Sequence, residues 1–154
     1  MIRTPQLIVT RVHGKAAGGG VGLVAASDYA IASAQADLRL SELALGLGPF
    51  VVGPVIEKKI GLAGFSALAV EAGWRSPAWA ERLGLYAEVV DPAALDARVM
   101  SVATRLAGYS LEAMRRLKEV LWEGTDHWAE LLARRAAISG QLVLTEASRK
   151  AVSP

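Results

Sequence analysis

The groups in this sequence best suited to chemistry are main-chain ones, the N–H groups of Gly18-Gly19-Gly20. No side chain shields an amide at glycine, so another molecule can approach it closely. The run 21–26 that follows is small and apolar with helical character. These amides therefore stand at a helix start, unpaired and carrying partial positive charge. Such a place favours an anion, including an oxyanion that exists only in a transition state. Glu42 follows in Ser41-Glu42-Leu43-Ala44-Leu45-Gly46. A well-placed carboxyl can act as a general acid or base, worth about 10²–10⁴-fold in rate. Read as structure alone, the glycines are a tight strand-to-helix turn and Glu42 is a first-turn carboxylate favoured by the helix dipole.

Other polar residues read more plainly. His13 and Lys15 flank the glycine turn, and His13 fits a hydrogen-bonded strand end better than a catalytic base. Asp28 fits a residue that orients backbone. Arg115, Arg116, Lys118, Arg134 and Arg135 lie on amphipathic stretches, where charge ordinarily forms a solvated face. Trp74, Trp79, Trp122 and Trp128 read as helix-packing anchors.

The elements that must position these groups follow from periodicity. Residues 7–12 form a near-continuous apolar run, the pattern of a strand covered on both faces in a parallel sheet. Residues 19–26 are a poor helix by propensity, so tight packing must hold them. Residues 29–32 and 38–40 read as strands. A helix or turn starts at Ser41-Glu42, with Ser41 as its cap, and a glycine-rich loop runs over 46–53. Helical stretches 54–60 and 62–72 are separated by Gly61. A short helix spans 77–83, with Pro at its first turn and Gly84 past its end, and 85–90 returns as a strand. Beyond Pro92 the pattern is helical over 95–107, 111–123, 128–141 and after 144, punctuated by Gly108, Gly124 and Gly140.

Composition removes whole classes of function. There is no cysteine, hence no disulfide framework, thiolate chemistry or Cys-based metal site, and two histidines alone make no zinc site. Net charge is only +2 and no long block of like charge occurs, which gives nucleic acid no footing. The longest uncharged run, 43–56, is too short to span a bilayer and is broken by Gly and Pro. No signal-peptide pattern opens the sequence, so a cytoplasmic protein is the default. Phosphate-loop, dinucleotide-turn, serine-elbow and zinc-protease motifs do not occur. Apolar residues make up 53% of the chain and mean hydropathy is +0.33. That surplus leads us to expect a partner surface.

Taken together, Gly18-Gly19-Gly20 with its small-residue helix, Asp28 before a strand, Ser41-Glu42-Leu43-Ala44-Leu45-Gly46, and Trp79-Ala80-Glu81-Arg82-Leu83-Gly84-Leu85 resemble the crotonase (enoyl-CoA hydratase/isomerase) superfamily in order and spacing. The resemblance implies an α/β fold. A partial spiral of strand-strand-helix turns would occupy residues 1–91, and a helical oligomerisation region residues 92–154. It also implies an acyl-CoA substrate, with coenzyme A part of that substrate and no separate cofactor, and a homo-oligomer, trimer or hexamer. The Gly19 N–H would be one of two oxyanion donors, with Gly18 and Gly20 lining the substrate. The second donor would lie upstream of the matched segment, so the chain is expected to lack the family's earlier turns or to have them supplied by a companion chain. Glu42 would be the general acid/base, and Lys118 the basic residue to meet coenzyme A phosphates.

One position departs from the pattern. Hydratases of the superfamily carry a second Glu where this chain has Gly22. Hydration of a 2-enoyl-CoA, the family's commonest activity, is the leading expectation; the alternative is double-bond isomerisation, which the single carboxylate Glu42 suits better. A reading of another class also stands: a truncated, non-catalytic chain that binds acyl-CoA or oligomerises.

Overall fold

The computed structural model describes residues 1–152. The chain climbs in turns that each place one strand in a first sheet, one in a second, and then a helix. Strand β1 (Val9–Val12) is followed by β2 (Ala16–Ala17) and helix α1 (Gly19–Ala25). Strand β3 (Tyr29–Ser33) is followed by β4 (Leu38–Arg39), a 3₁₀ turn (Leu43–Leu45) and helix α2 (Gly53–Glu71). Helix α3 (Pro77–Arg82) then leads to β5 (Glu88–Val90). The first, third and fifth strands form one sheet in the order β1-β3-β5, and β2 pairs with β4 in the other. All these pairings are parallel, with Val9 opposite Tyr29, Ile31 opposite Glu88, and Ala17 opposite Arg39. This is the expected spiral of strand-strand-helix turns.

Two layers of apolar side chains hold it. Val12, Val21, Val24, Ala32, Leu38, Leu40, Ile56, Leu68 and Tyr86 form the larger core inside the spiral. Ile31, Leu95 and Val102, with Val9, Tyr29, Val99 and Leu106 against them, form a second on the other face of the first sheet. A strand buried on both faces reads as continuous apolar sequence, and Ala30, Ile31 and Ala32 in β3 show it. Tyr86 lies in the larger core with its hydroxyl donating to the Ala36 carbonyl at 2.9 Å; burial pushes its pKa up to about 12. The rest of the described chain is helical: α4 (Leu95–Ala107), α5 (Leu111–Leu121), α6 (Trp128–Leu142) and α7 (Glu146–Val152). Residues 153 and 154 of the expected helical region lie outside the described residues.

Several local expectations are corrected. The two-residue strand β2 has no signature of its own, since strict alternation needs a longer run. Ser41 caps nothing; Glu42 occupies the cap position of the 3₁₀ turn, with no side-chain bond to it. Helix α2 runs from Gly53 to Glu71 but is broken at Gly61, whose φ of 70° and ψ of 166° interrupt it as expected. Gly140 sits inside α6 rather than at its end. Trp74 is no packing anchor: the residue is 40% exposed and its ring faces two cations, Lys15 at 4.8 Å and Arg39 at 4.5 Å. Trp122 and Trp128 do pack edge to face, 6.3 Å apart.

Candidate active site

The glycine bend is built by the second sheet. The Gly18 N–H donates to the Arg39 carbonyl at 3.0 Å, and Ala16 N–H to Asp37 at 2.9 Å, which fixes the end of β2 against β4. The chain then reverses through Gly18 at φ 51°, ψ −116° and enters α1. Side chains rarely adopt that conformation, which accounts for glycine here. The Gly18 carbonyl accepts from Val21 (3.0 Å) and Gly22 (3.3 Å), closing the first helical turn. The amides of Gly19 and Gly20 have no acceptor among the described residues. No side chain caps α1 and no acidic residue sits in its first turn. Two bare donors thus sit at the positive end of a short helix, where an oxyanion would gain most.

The carboxyl of Glu42 meets this bend. A Cβ built on Gly18 would lie 3.2 Å from Glu42 Oε1. Arg39 and Glu42 are three residues apart, so the strand that holds the Gly18 amide by hydrogen bond also delivers the carboxyl. Glu42 is half-buried; its Oε2 is buried with no hydrogen-bond partner among the described residues. A buried, unbonded carboxylate oxygen is costly unless a ligand or proton satisfies it. The Glu42 carbonyl is used by the turn: it accepts from Leu45 at 3.0 Å and Leu47 at 2.9 Å. The arrangement places two bare main-chain donors and a half-buried carboxyl at one bend.

Gly22 is one helical turn beyond Gly19. A Cβ there would come 2.6 Å from Val52 Cγ1 and 2.9 Å from Val52 Cβ. The place of a second carboxylate is therefore filled by an apolar side chain from the start of α2. Nothing in a single sequence couples residues 22 and 52, so Val52 was not legible as part of the site.

The remaining candidates lie elsewhere or do other work. Lys118, expected at coenzyme A phosphates, is 3% exposed and pairs with Asp28 Oδ2 at 2.5 Å. Asp28 also accepts from the Ile8 N–H at 2.7 Å and from Trp122 Nε1 at 2.8 Å. Asp28 thus orients backbone as read from sequence, and Lys118 is its counter-ion. Burial pulls the neighbouring Lys59 ammonium below its ordinary value, against the opposing pull of Asp28. Arg115 and Arg116 are engaged with Glu112 and Glu119 along α5, and Arg134 with Glu130. Arg135 reaches the Phe50 carbonyl at 3.4 Å. The exposed His13 offers its carbonyl to the Ser33 hydroxyl at 3.0 Å. A cleft of about 450 Å³ lined by Pro54, Lys58, Gly61, Trp128 and Arg135 does not include the bend or Glu42. Among the described residues, no group of three or more His, Asp or Glu is placed to hold a metal, and no helix is long and apolar enough to cross a membrane.

Comparison with known proteins bears on the family and the fold. The profile of the enoyl-CoA hydratase/isomerase family matches residues 1–151. A probable enoyl-CoA hydratase, EchA12, of Mycobacterium tuberculosis is 32% identical over 127 residues, covering 80% of this chain and 44% of that protein. A trans-2-decenoyl-[acyl-carrier-protein] isomerase of Streptococcus mutans is 26% identical over 124 residues, covering 80% of this chain and 47% of that protein. The crystal structure of an enoyl-CoA hydratase/isomerase from Pseudoalteromonas atlantica superposes with a TM-score of 0.91 at 20% identity, covering 97% of this chain and 61% of that one. The matches to these curated relatives span under half of each relative's length.

Proposed function

The chain belongs to the enoyl-CoA hydratase/isomerase family, and from that premise we propose that it acts on an acyl-CoA thioester by stabilising an enolate oxygen at Gly19 while Glu42 moves a proton. The observation that carries this reading is the meeting of bare Gly19 and Gly20 amides with a carboxyl 3.2 Å from the Gly18 Cβ position. Loss of a proton from the acyl chain pushes charge onto the thioester oxygen, and fixed donors stabilise that charge more than the neutral carbonyl. One such donor is worth about 2.7–4 kcal/mol.

Within this chemistry the packing at Gly22 favours proton relocation, as in shifting a double bond, over addition of water. A carboxylate takes a proton from one carbon and returns it to another without help. Water addition also needs a group to hold the water, and Val52 presents only methyl groups where position 22 would supply one. Hydration of a 2-enoyl-CoA remains the second reading, supported by the likeness to the mycobacterial probable enoyl-CoA hydratase.

The test offers 2-enoyl- and 3-enoyl-CoA in deuterated water and follows product mass. Deuterium uptake and double-bond movement without water gain are expected, with exchange lowered at least 100-fold by Glu42→Gln. Undiminished exchange in Glu42→Gln would remove Glu42 from the mechanism. Hydration as fast as exchange would establish the second reading.

A further inference from the structure

The turn that carries Glu42 has little hold of its own on the core. None of residues Leu43–Leu45 is buried, and Leu43 is 50% exposed. Its internal bonds are those of a tight turn: Leu45 and Leu47 amides to the Glu42 carbonyl, and Gly46 N–H to Leu43 at 3.1 Å. A segment with few buried contacts opens at low cost unless something outside it is attached. Here that attachment is helix α7. Ser148 is 1% exposed, and its hydroxyl donates to the Gly46 carbonyl at 3.1 Å. The approach is close along the whole residue. A Cβ on Gly46 would meet Ser148 Oγ at 2.9 Å, its amide nitrogen at 3.1 Å and its Cα at 3.3 Å. Gly46 also sits at φ +70°, ending the turn in the left-handed region. Glycine at 46 therefore serves two needs, the turn's reversal and the seating of α7 against it.

We propose that Ser148 is a positioning residue for Glu42: α7, seated on Gly46, sets where the carboxyl stands relative to the glycine bend. The inference rests on the reading of Glu42 as proton carrier. The chain of contact is short. Ser148 holds the Gly46 carbonyl, the Gly46 and Leu47 amides close the turn, and the Glu42 carbonyl is the acceptor inside it. The side chain of Glu42 takes no part in capping that turn, so it is free to face Gly18. Release of α7 loosens the turn without touching the glycine amides. It would therefore alter proton transfer and leave thioester binding in place.

The test is Ser148→Ala, measured three ways. Amide hydrogen exchange at Leu45 and Leu47 should speed several-fold. The kcat for α-carbon deuterium exchange should fall on the order of tenfold with KM within about twofold. In a Glu42→Gln background the same substitution should cost nothing further, because a displaced group that no longer transfers protons has nothing to lose. Equal losses in both backgrounds, or unchanged protection of Leu45 and Leu47, would overturn the proposal. A chain ending at Leu144 provides the second variant and should lose at least as much kcat; full turnover by it also overturns the proposal. An unmodified chain with no exchange activity overturns the proton-transfer reading and this inference with it. An active chain insensitive to Ser148→Ala overturns this inference alone.

Discussion

Oxygen Oε1 of Glu42 stands 3.2 Å from the point where Gly18 would carry a β-carbon. The contact ties the acid to the bend: any side chain at 18 would press on the carboxyl. Gly18→Ala therefore meets two penalties, the contact and a φ of 51°. We expect a stability loss of about 1–3 kcal/mol and a fall in exchange activity beyond what unfolding explains. Gly14→Ala is the control, since a Cβ there meets nothing within 4 Å. Denaturant titration beside kinetics checks both; a Gly18→Ala chain as active as the Gly14→Ala chain would refute the contact.

Gly22 and Val52 form a second close pair, and it can be tested without any substrate. Gly22→Ala places a methyl 2.6 Å from Val52 Cγ1, and overpacking of this kind costs about 1–3 kcal/mol. Val52→Ala removes the Cγ1 contact but leaves the residue 52 Cβ at 2.9 Å, so it should relieve part of that cost and the two changes should be non-additive in stability. Additive effects would mean that α1 and α2 can shift apart freely.

The fold and the core of the site were legible because local signals and tertiary needs agree there. The apolar run before the glycines, the glycines themselves and the Pro and Gly bounds of α3 each have one physical explanation. Helix α4 spans Leu95–Ala107, as its periodicity predicts. What failed depends on partners distant in sequence. Lys118 and Asp28 are 90 residues apart, so an amphipathic helix alone could not show that its lysine is buried. Trp74 faces Lys15, just before β2, and Arg39 on β4, partners far from it in sequence. Gly22 was read as a departure from the family's pattern, and the side chain that fills its place lies thirty residues on.

Acid stability should depend on Glu88. It accepts two bonds from Arg98, at 2.6 Å each, and one from the Tyr29 hydroxyl at 2.5 Å. The Arg98 guanidinium chiefly, with Tyr29 adding, holds its carboxyl below the ordinary 4.5, against the opposing effect of burial. A carboxyl depressed in the folded state contributes stability that is fully present above its unfolded pKa and lost as pH falls through the folded one. Glu88→Gln should therefore flatten the loss of stability below about pH 4.5 and lower stability at neutral pH. Because both side chains are partly exposed, 33% and 23%, added salt should shrink the difference. Identical acid limbs for the two proteins in urea titrations would refute the assignment.

The pairing of Lys118 with Asp28 separates a structural role from a binding one. Both side chains are almost fully enclosed, at 3% and 5% exposure. Lys118→Met would leave the Asp28 carboxylate buried with only the Ile8 and Trp122 donors. Removing one partner of a buried pair costs about 3–5 kcal/mol, whereas replacing both by uncharged groups is often close to neutral. Lys118→Met should thus be strongly destabilised, and Asp28→Asn with Lys118→Met should recover much of the loss. The folded fraction should keep its KM for acyl-CoA. If Lys118 instead meets coenzyme A phosphates, the single variant would unfold at the normal denaturant concentration and show a raised KM. Substrates lacking the nucleotide would then be unaffected by the change. Under the structural role stability falls at constant KM, under the binding role KM rises at constant stability, and one variant measured both ways decides between them.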